Sequence, residues 1–207
     1  MRNLTIATRN RHKTGELAAI LGPGWSVEDL AGRPELPEPE ENGATFEENA
    51  AIKALAASRV LPGLVLADDS GLEVDLLGGA PGIRSARYAG EKASDGENRD
   101  RLLRELAERR PAPGQPITAR FRCAIVVAEE GVALGTFSGA VEGRIVMKEA
   151  GTGGFGYDPL FIPEGFDKTF AELDAEIKNR LSHRARAMAQ VMEWLKEMGR
   201  PQSSDLP

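Results

Sequence analysis

The stretch LVLADDSGLEV, residues 64–74, decides the fold class that the sequence predicts. Its first part, residues 64–67, is an apolar run followed by turn-forming residues, which is typical of a central strand buried on both faces. Directly after this run come Asp68 and Asp69, then Ser70 and Gly71. We therefore predict a strand whose carboxyl end delivers both aspartates into a turn made by Ser70 and Gly71.

A strand and two helices are predicted before this stretch, and one further helix is predicted after it. A short strand at 4–7 is followed by a polar turn and a helix that ends at Gly22. Capping boxes, in which a hydroxyl residue is followed three positions later by Glu, begin further helices at Thr45 and Ser94. The helix after Thr45 is predicted to face the protein core with Ile52, Leu55 and Ala56.

The carboxyl-terminal half predicts a hairpin and then helices. Two apolar runs flank the turn 129–131 and read as adjacent antiparallel strands. Thr169 and Glu172 predict a short helix, and Ser182 is expected to cap a longer one. The apolar face of that longer helix would carry Ala185, Met188, Val191, Met192, Leu195 and Met198. Together these elements predict an α/β protein with a mixed sheet flanked by helices, without specifying the strand order.

Length and composition limit the class of protein. The 207 residues carry a net charge of −6 and a single cysteine, Cys123, which we expect to be a buried thiol in a reducing compartment. We expect one domain at 1–199 and a disordered tail at 200–207. Without a signal peptide, an apolar span or a basic surface, the chain is expected in the cytoplasm, bound to neither membrane nor nucleic acid polymer.

Asp68 and Asp69 are the first candidates for chemistry. Adjacent carboxylates repel one another, so their placement favours a compensating cation or a shared proton. Mg²⁺ suits such a site because it uses one or two carboxylates and takes further oxygens from water and phosphate. Because strand side chains alternate, one aspartate should face the site and the other should support it. Two solvated turn aspartates remain the alternative.

Two other segments could bind parts of one ligand. Thr8, Asn10 and Lys13 lie between a strand and a helix, where they could bind an anion or simply form a polar capping turn. Lys178, His183 and Arg184 place three donors near the start of the last helix.

The glycines at 151, 153 and 156 have the spacing of a dinucleotide-binding loop. Pro159 and Pro163 stand where such a loop requires a helix, so we reject that interpretation. The glycines can instead serve a structural turn, or a turn lying against a flat ligand with Phe155 or Tyr157 as the stacking face.

Five of these segments together resemble the inosine triphosphate pyrophosphatase family, also called the noncanonical purine NTP pyrophosphatases of the RdgB/HAM1 type. In order and spacing they are TRNRHK (8–13), TFEENAAIKA (45–54), ADDSGLEVDLLGGAPGIRSARYAG (67–90), GTGGFGYDPLF (151–161) and KNRLSHRARA (178–187). The resemblance implies an elongated two-lobed fold, with a long mixed twisted sheet and a cleft between the lobes. It also implies a homodimer and Mg²⁺-dependent hydrolysis of ITP, dITP and XTP to the monophosphate and pyrophosphate, which cleanses the nucleotide pool.

The resemblance also implies a role for each matching residue. Glu41 and Asp69 would bind Mg²⁺, and Asp69, or its neighbour Asp68, would act as general base. Arg9 stands where the family usually has glycine, which changes how closely the backbone can approach a phosphate. The residues expected to contact substrate are Thr8, Arg9, Asn10, Arg11, His12, Lys13, Ser70, Phe155, Gly156, Tyr157, Asp158, Lys178, His183 and Arg184.

Two rival interpretations remain open at this point. A Maf-like nucleotide pyrophosphatase would share a similar architecture but prefer other bases. A nucleotide-sensing protein would bind purine triphosphates without cleaving them, although the carboxylates at 41, 68 and 69 favour an enzyme.

Overall fold

The computed structural model describes residues 2–109 and 114–198 of the chain. The tail predicted at 200–207 lies outside the described residues. Six strands form one sheet: β1 (Arg2–Ile6), β2 (Trp25–Asp29), β3 (Val65–Val74), β4 (Ile117–Glu129), β5 (Val132–Ile145) and β6 (Phe161–Pro163). The helices are α1 (Arg11–Leu21), α2 (Phe46–Ser58), α3 (Asp95–Arg109), α4 (Ala175–Leu181) and α5 (His183–Met198). Within the described ranges, none of these helices is long and apolar enough to cross a membrane.

The sheet is mixed, with the strand order β2-β1-β3-β4-β5-β6. β1 pairs in parallel with β2 and β3, whereas β3 to β6 pair antiparallel to one another. The α/β class and the mixed sheet predicted from the sequence are confirmed, and so is the hairpin between β4 and β5. Its turn places Glu130 and Gly131 at positive φ, as a tight connection between twisted strands requires.

The central strand β3 is longer than predicted, and the turn expected at Ser70 and Gly71 is wrong. β3 continues to Val74 because it pairs with β4 along its whole length, from Val65 opposite Ala128 to Val74 opposite Ala119. Gly71 serves close packing and not a turn, since a Cβ there would lie 2.4 Å from the carbonyl oxygen of Gly82. Asp68 and Asp69 therefore lie in the middle of a strand.

The sheet buries apolar side chains on both faces near its centre. On one face, Leu66 of β3 packs with residues of α1 and α5. On the other, Val65 and Ala67 pack with the alanines of α2. A third cluster, around Leu72 and the far half of the sheet, lies under α3. Because strand side chains alternate, consecutive residues of β3 face different helices.

Several local predictions differ from the structure. α2 buries its small residues Ala50, Ala54 and Ala57, whereas Ile52, Leu55 and Ala56 are only partly buried, because alanines allow the helix to pack close to the sheet. Thr169 and Glu172 form a turn without a helix; the side chain of Glu172 still accepts a hydrogen bond from Thr169 N at 2.9 Å.

The last predicted helix is confirmed as α5. Ser182 caps α5 through its hydroxyl, 3.2 Å from Ala185 N. Met198 at the end of α5 is 57% exposed and so does not belong to its buried face. The edge strands β2 and β6 and the short helix α4 were not predicted.

Candidate active site

A cavity of about 490 Å³ opens where β1, β3, α2 and α5 meet the glycine loop before β6. It brings together predicted residues from every part of the sequence. Those that line it are Thr8, Arg9, Asn10, Lys13, Glu41, Asp69, Ser70, Phe155, Gly156, Tyr157, Asp158, Lys178, His183 and Arg184. Arg11, His12 and Asp68 do not line it. The predicted segments thus form one site, with these three residues at its margin.

The charge of the cavity differs from that of the whole chain. Although the chain carries a net charge of −6, six cationic side chains but only five carboxylates line the cavity among the described residues. The cations are Arg9, Lys13, Lys53, Arg87, Lys178 and Arg184, and the acids are Glu38, Glu41, Asp69, Asp95 and Asp158. An anionic ligand therefore finds local cationic partners despite the acidic surface.

The turn between β1 and α1 is built by its own side chains. The side-chain oxygen of Asn10 caps α1 and accepts hydrogen bonds from His12 N at 2.9 Å and Lys13 N at 3.3 Å. Thr8 Oγ1 accepts one from Asn10 N at 3.2 Å. The turn is therefore a polar capping turn, and Lys13 on the helix that follows lines the cavity. Anion binding by the turn stays a prediction. Arg11 and His12 lie exposed on the first turn of α1.

Asp68 lies behind the cavity wall and contacts residues that line it. Its carboxylate lies 3.2 Å from Lys13 Nζ and 3.0 Å from Arg184 Nη2, and it accepts a hydrogen bond from Ser70 Oγ. Burial alone would raise the pKa of Asp68, but Lys13 and Arg184 outweigh it and hold that pKa well below its usual range. Asp68 is therefore a permanent anion that orients two cations.

Asp69 points to the opposite face of β3 and borders the cavity. Lys53 Nζ of α2 lies 3.3 Å from Asp69 Oδ1 and 3.3 Å from Glu41 Oε1, and Asn49 Nδ2 donates to Asp69 Oδ2 at 3.3 Å. Burial raises the pKa of Asp69 although Lys53 and Lys13 act in the other direction. The alternation predicted for the two aspartates is thus present, and solvated turn aspartates are excluded.

The donor set around Asp69 fits a small divalent cation. No cluster of three or more His, Cys, Asp or Glu side chains suited to a metal occurs within residues 2–109 and 114–198. Glu41 and Asp69 nevertheless converge on one cation, the ammonium of Lys53. Two carboxylates are enough for Mg²⁺, whose other ligands come from water and substrate phosphates.

Arg9 ties the acidic segment 31–43 to the turn after β1. Its guanidinium donates to the carbonyl oxygen of Leu36, and its Nε lies 3.0 Å from Glu38 Oε1. The same segment carries Glu41, so Arg9 holds part of the segment in which this predicted metal ligand lies.

The donors near the last helix form a buried network. Lys178 Nζ contacts Asp158 and lies 2.7 Å from Glu16 Oε1, and Arg184 contacts Glu16, Asp68 and, at 3.0 Å, Ser70 Oγ. Lys178 and Arg184 are both fully enclosed, at 4% and 1% exposure. Buried cations with several acidic partners have fixed positions, which suits recognition of a polar ligand.

His183 is buried and lacks a partner on one side. Its ring stacks on Phe121 with centroids 4.9 Å apart, and its Nδ1 has no hydrogen-bond partner among the described residues. Burial, together with Arg184 and Lys178, lowers the pKa of His183 well below its usual value. The imidazole is therefore neutral at pH 7, with one donor and one acceptor nitrogen.

Phe155 is the aromatic face of the glycine loop. Its ring lies 5.4 Å from that of His12 with an interplanar angle of 19°, and Lys178 Nζ lies 5.0 Å from its centroid. Tyr157 is instead buried and donates to Ser85 O at 2.9 Å. The loop leads into a single 3-10 turn (Asp158–Leu160) and then β6, and not into an α-helix, so rejection of the dinucleotide interpretation is confirmed. Of the two aromatic candidates, Phe155 is the one free to stack on a ligand.

Several residues at the site were not predicted. Among them are Glu16, Asn49 and Lys53, which contact predicted site residues, and the cavity residues Glu38, Arg87 and Asp95. Glu16 lies three positions after Lys13 on α1, and Asn49 and Lys53 lie four apart on α2. Residues at these spacings share a helix face. The helical spacing of Asn49 and Lys53 therefore indicates that both side chains project toward the same site. No local pattern pairs Glu16 with Lys178, which is 162 residues away.

Comparison with known proteins finds relatives in sequence and in fold. The sequence pattern of the Ham1 family matches residues 4–194. A dITP/XTP pyrophosphatase of Halalkalibacterium halodurans is 48% identical over 196 residues, which cover 94% of this chain and 100% of the relative. Among solved structures, a HAM1 protein from Coxiella burnetii has a TM-score of 0.83 at 36% identity, covering 95% of this chain and 100% of that one. The Staphylococcus aureus Ham1 protein has a TM-score of 0.81 at 38% identity, with the same coverage.

Proposed function

Because the chain belongs to the Ham1 family, we propose that it hydrolyses dITP, XTP and also ITP to the nucleoside monophosphate and pyrophosphate. It is a nucleoside-triphosphate pyrophosphatase, the activity named for relatives that match almost its whole length. One observation carries the choice of substrate: a single cavity joins the carboxylates Glu41 and Asp69 to Phe155, His183 and Arg184. Removal of noncanonical purines from the nucleotide pool follows from this activity.

The base is recognised at the end of the cavity formed by α5 and the glycine loop. Hypoxanthine and xanthine carry an oxygen at C6, where adenine carries an amino group. Arg184 and Lys178 are donors only, so they suit the oxygen and are left facing another donor when adenine binds. A site built for such hydrogen bonds can reject the wrong partner by about 10⁴-fold, because buried polar groups are then unpaired. Phe155 stacks on the purine ring.

Asp69 is the general base of the reaction. It borders the cavity, whereas Asp68 does not line it and is paired with Lys13 and Arg184. Asp69 accepts a proton from a water molecule, whose oxygen attacks the α-phosphorus while the bond to pyrophosphate breaks. Lys13, on the side of the capping turn, neutralises part of the charge on the departing pyrophosphate.

Glu41 and Asp69 would hold Mg²⁺ when the substrate binds. Bound there, the ion would act as a Lewis acid that withdraws charge from the phosphate oxygens. Lys53 reaches both carboxylates at 3.3 Å and keeps them together before metal and substrate arrive. Asn49 fixes the second oxygen of Asp69, so that its orientation does not depend on the metal.

A substrate panel tests the proposal. Pyrophosphate release is measured with ITP, dITP, XTP, GTP, ATP, dTTP and UTP, each with Mg²⁺ and with EDTA. We expect rapid release from the first three, little from the others, and none in EDTA. Guanine shares the C6 oxygen with hypoxanthine and xanthine, so discrimination against GTP must act at its 2-amino group. Preference for dTTP or UTP would favour the Maf-like alternative, and tight binding of ITP without release would favour a sensing protein. A homodimer in the cytoplasm remains expected, and light scattering of the purified protein tests the dimer.

A further inference from the structure

The glycine loop that carries Phe155 has little rigidity of its own. Gly151, Gly154 and Gly156 lie at positive φ, and Gly153 adds a further residue without a side chain. Glycine has the largest conformational freedom to lose, so an unsupported loop of this composition would let Phe155 move. Stacking on a base gains most affinity when the ring is held in place beforehand.

Part of the support comes from within the site. Asp158 Oδ2 accepts a hydrogen bond from Phe155 N at 2.8 Å, and Gly153 N donates to Ala171 O at 3.0 Å. These contacts fix the backbone at Gly153 and at Phe155. Neither of them involves Gly156, the residue that follows Phe155.

Helix α3 holds that next residue, Gly156, by both of its backbone groups. Gly156 N donates to Asp95 Oδ2 at 2.7 Å, and Arg99 Nη1 donates to Gly156 O at 2.8 Å. Arg99 Nε also lies 2.7 Å from Glu149 Oε1, at the start of the loop. Asp95 and Arg99 are four residues apart on α3, so they project from the same helix face.

The first turn of α3 is a rigid base for these contacts. Ser94 and Glu97 form the predicted capping box, with Ser94 N donating to Glu97 Oε2 at 2.7 Å. Asn98 is buried and accepts a hydrogen bond from Ala89 N at 2.7 Å while donating to Ala86 O at 3.1 Å. The position of Asp95 and Arg99 is therefore set by a well-anchored helix end and not by the loop.

We propose that Asp95 and Arg99 are positioning residues which hold Gly156 so that the ring of Phe155 is placed for stacking on the purine base. The proposal rests on the proposed function and adds to it a determinant of base binding on α3, which lines the cavity through Asp95 and Asn98 but carries none of the reacting groups. Such a contact is made equally before and during the reaction. Its loss should therefore raise KM and leave kcat unchanged.

The test compares variants in pyrophosphate release from dITP and in inhibition by inorganic triphosphate, which has no base. In Asp95→Ala we expect KM for dITP to rise about fivefold to tenfold, since a hydrogen bond to a charged group is lost. kcat and the inhibition constant of inorganic triphosphate should stay within about twofold of the wild type. Asp95→Asn keeps an acceptor oxygen and should restore KM to within about threefold.

Arg99→Ala should act like Asp95→Ala, and the double variant should raise KM by less than the product of the two effects, because both residues hold Gly156. Asp100→Ala is the matched control: it removes an exposed carboxylate of α3 that makes no hydrogen bond to the glycine loop within the described residues. This control should keep the KM of the wild type.

Two results would overturn the inference while the proposed function stands. One is an unchanged KM in Asp95→Ala, whatever its melting temperature. The other is an equal rise in KM for dITP and in the inhibition constant of inorganic triphosphate, which would mean that α3 supports the whole cavity and not the base platform. A wild type that cleaves neither dITP nor XTP would instead overturn the proposed function, and the inference would fall with it.

Discussion

Replacement of Glu16 by glutamine tests how the buried cations of the site are held. The carboxylate of Glu16 lies on α1 between Lys178 and Arg184, and contacts both. Its side chain is 14% exposed, against 6% for Lys178 and 1% for Arg184. Glutamine keeps the size and one acceptor oxygen but removes the charge, so the substitution isolates the electrostatic part of the contact.

The size of the effect follows from what each cation retains. Removing one partner of a buried ion pair costs about 3–5 kcal/mol when the other charge is left alone. Here Arg184 still contacts Asp68, and Lys178 still contacts Asp158. We therefore expect Glu16→Gln to lower the free energy of unfolding at pH 7 by about 2–3 kcal/mol, below the full penalty for a lone buried charge.

The contribution of Glu16 should also depend on pH in a defined direction. Burial would raise the pKa of Glu16, but Arg184 and Lys178 together lower it below its ordinary value of 4.5. A carboxyl whose pKa is lowered on folding contributes stability fully above its unfolded pKa, and loses that contribution as the pH falls through its folded pKa. The stability difference between wild type and Glu16→Gln should therefore be largest near pH 7 and shrink below 4.5.

Urea unfolding at neutral pH and at successively lower pH values measures this difference. Glu164→Gln, which changes an exposed glutamate on the turn after β6, is the matched control and should stay within about 0.5 kcal/mol of the wild type. If Glu16→Gln were as stable as the wild type at pH 7, the network would not be stabilised by this charge. A difference that stayed constant down to pH 3 would refute the assignment to Glu16 ionisation.

Three further experiments, two on variants and one on the unaltered protein, have expected outcomes. Asp69→Asn should lower kcat for dITP at least about 10²-fold in steady-state assays, because it removes the general base; near-normal turnover with Mg²⁺ would refute that role. Arg9→Gly should speed cleavage of residues 31–43 by a Glu-specific protease several-fold, because the contacts with Leu36 and Glu38 are lost, and equal cleavage rates would contradict this. Burial raises the pKa of Cys123 to about 12, so iodoacetamide at pH 8 should label the folded protein at least about 10²-fold more slowly than the urea-unfolded chain; fast labelling of the folded form would show that the thiol is accessible.

Local signals in the sequence predicted the helices and the hairpin well, because their causes lie within a few residues. The capping boxes at Thr45 and Ser94 form as expected, with Glu48 N donating to Thr45 Oγ1 at 3.1 Å. The same signal at Thr169 and Glu172 gives the hydrogen bond but no helix. A capping box satisfies the first N–H groups of a helix, whereas only packing of the following turns stabilises the helix itself.

The turn expected at Ser70 and Gly71 shows where local signals are misleading. Ser-Gly favours a turn when nothing else competes for the backbone groups. In this fold β4 supplies partners along the entire length of β3, and Gly71 is required by the nearby backbone of Gly82. The pairing of distant strands thus outweighed the local preference.

The candidate site was also predicted in part from local sequence and in part decided by tertiary contacts. By itself the sequence determined which chemical groups are present and in what order: the aspartate pair on β3, the capping turn before α1, the glycine loop with Phe155, and the donors of α5. Only the tertiary structure decided that Asp68 faces cations while Asp69 faces the cavity, that Lys53 joins Asp69 to Glu41, and that Glu16 holds Lys178 from 162 residues away. The physical reason is range: caps and periodicity depend on neighbours along the chain, whereas a buried charge is stabilised by whichever partners the folded sheet and helices bring within hydrogen-bond distance.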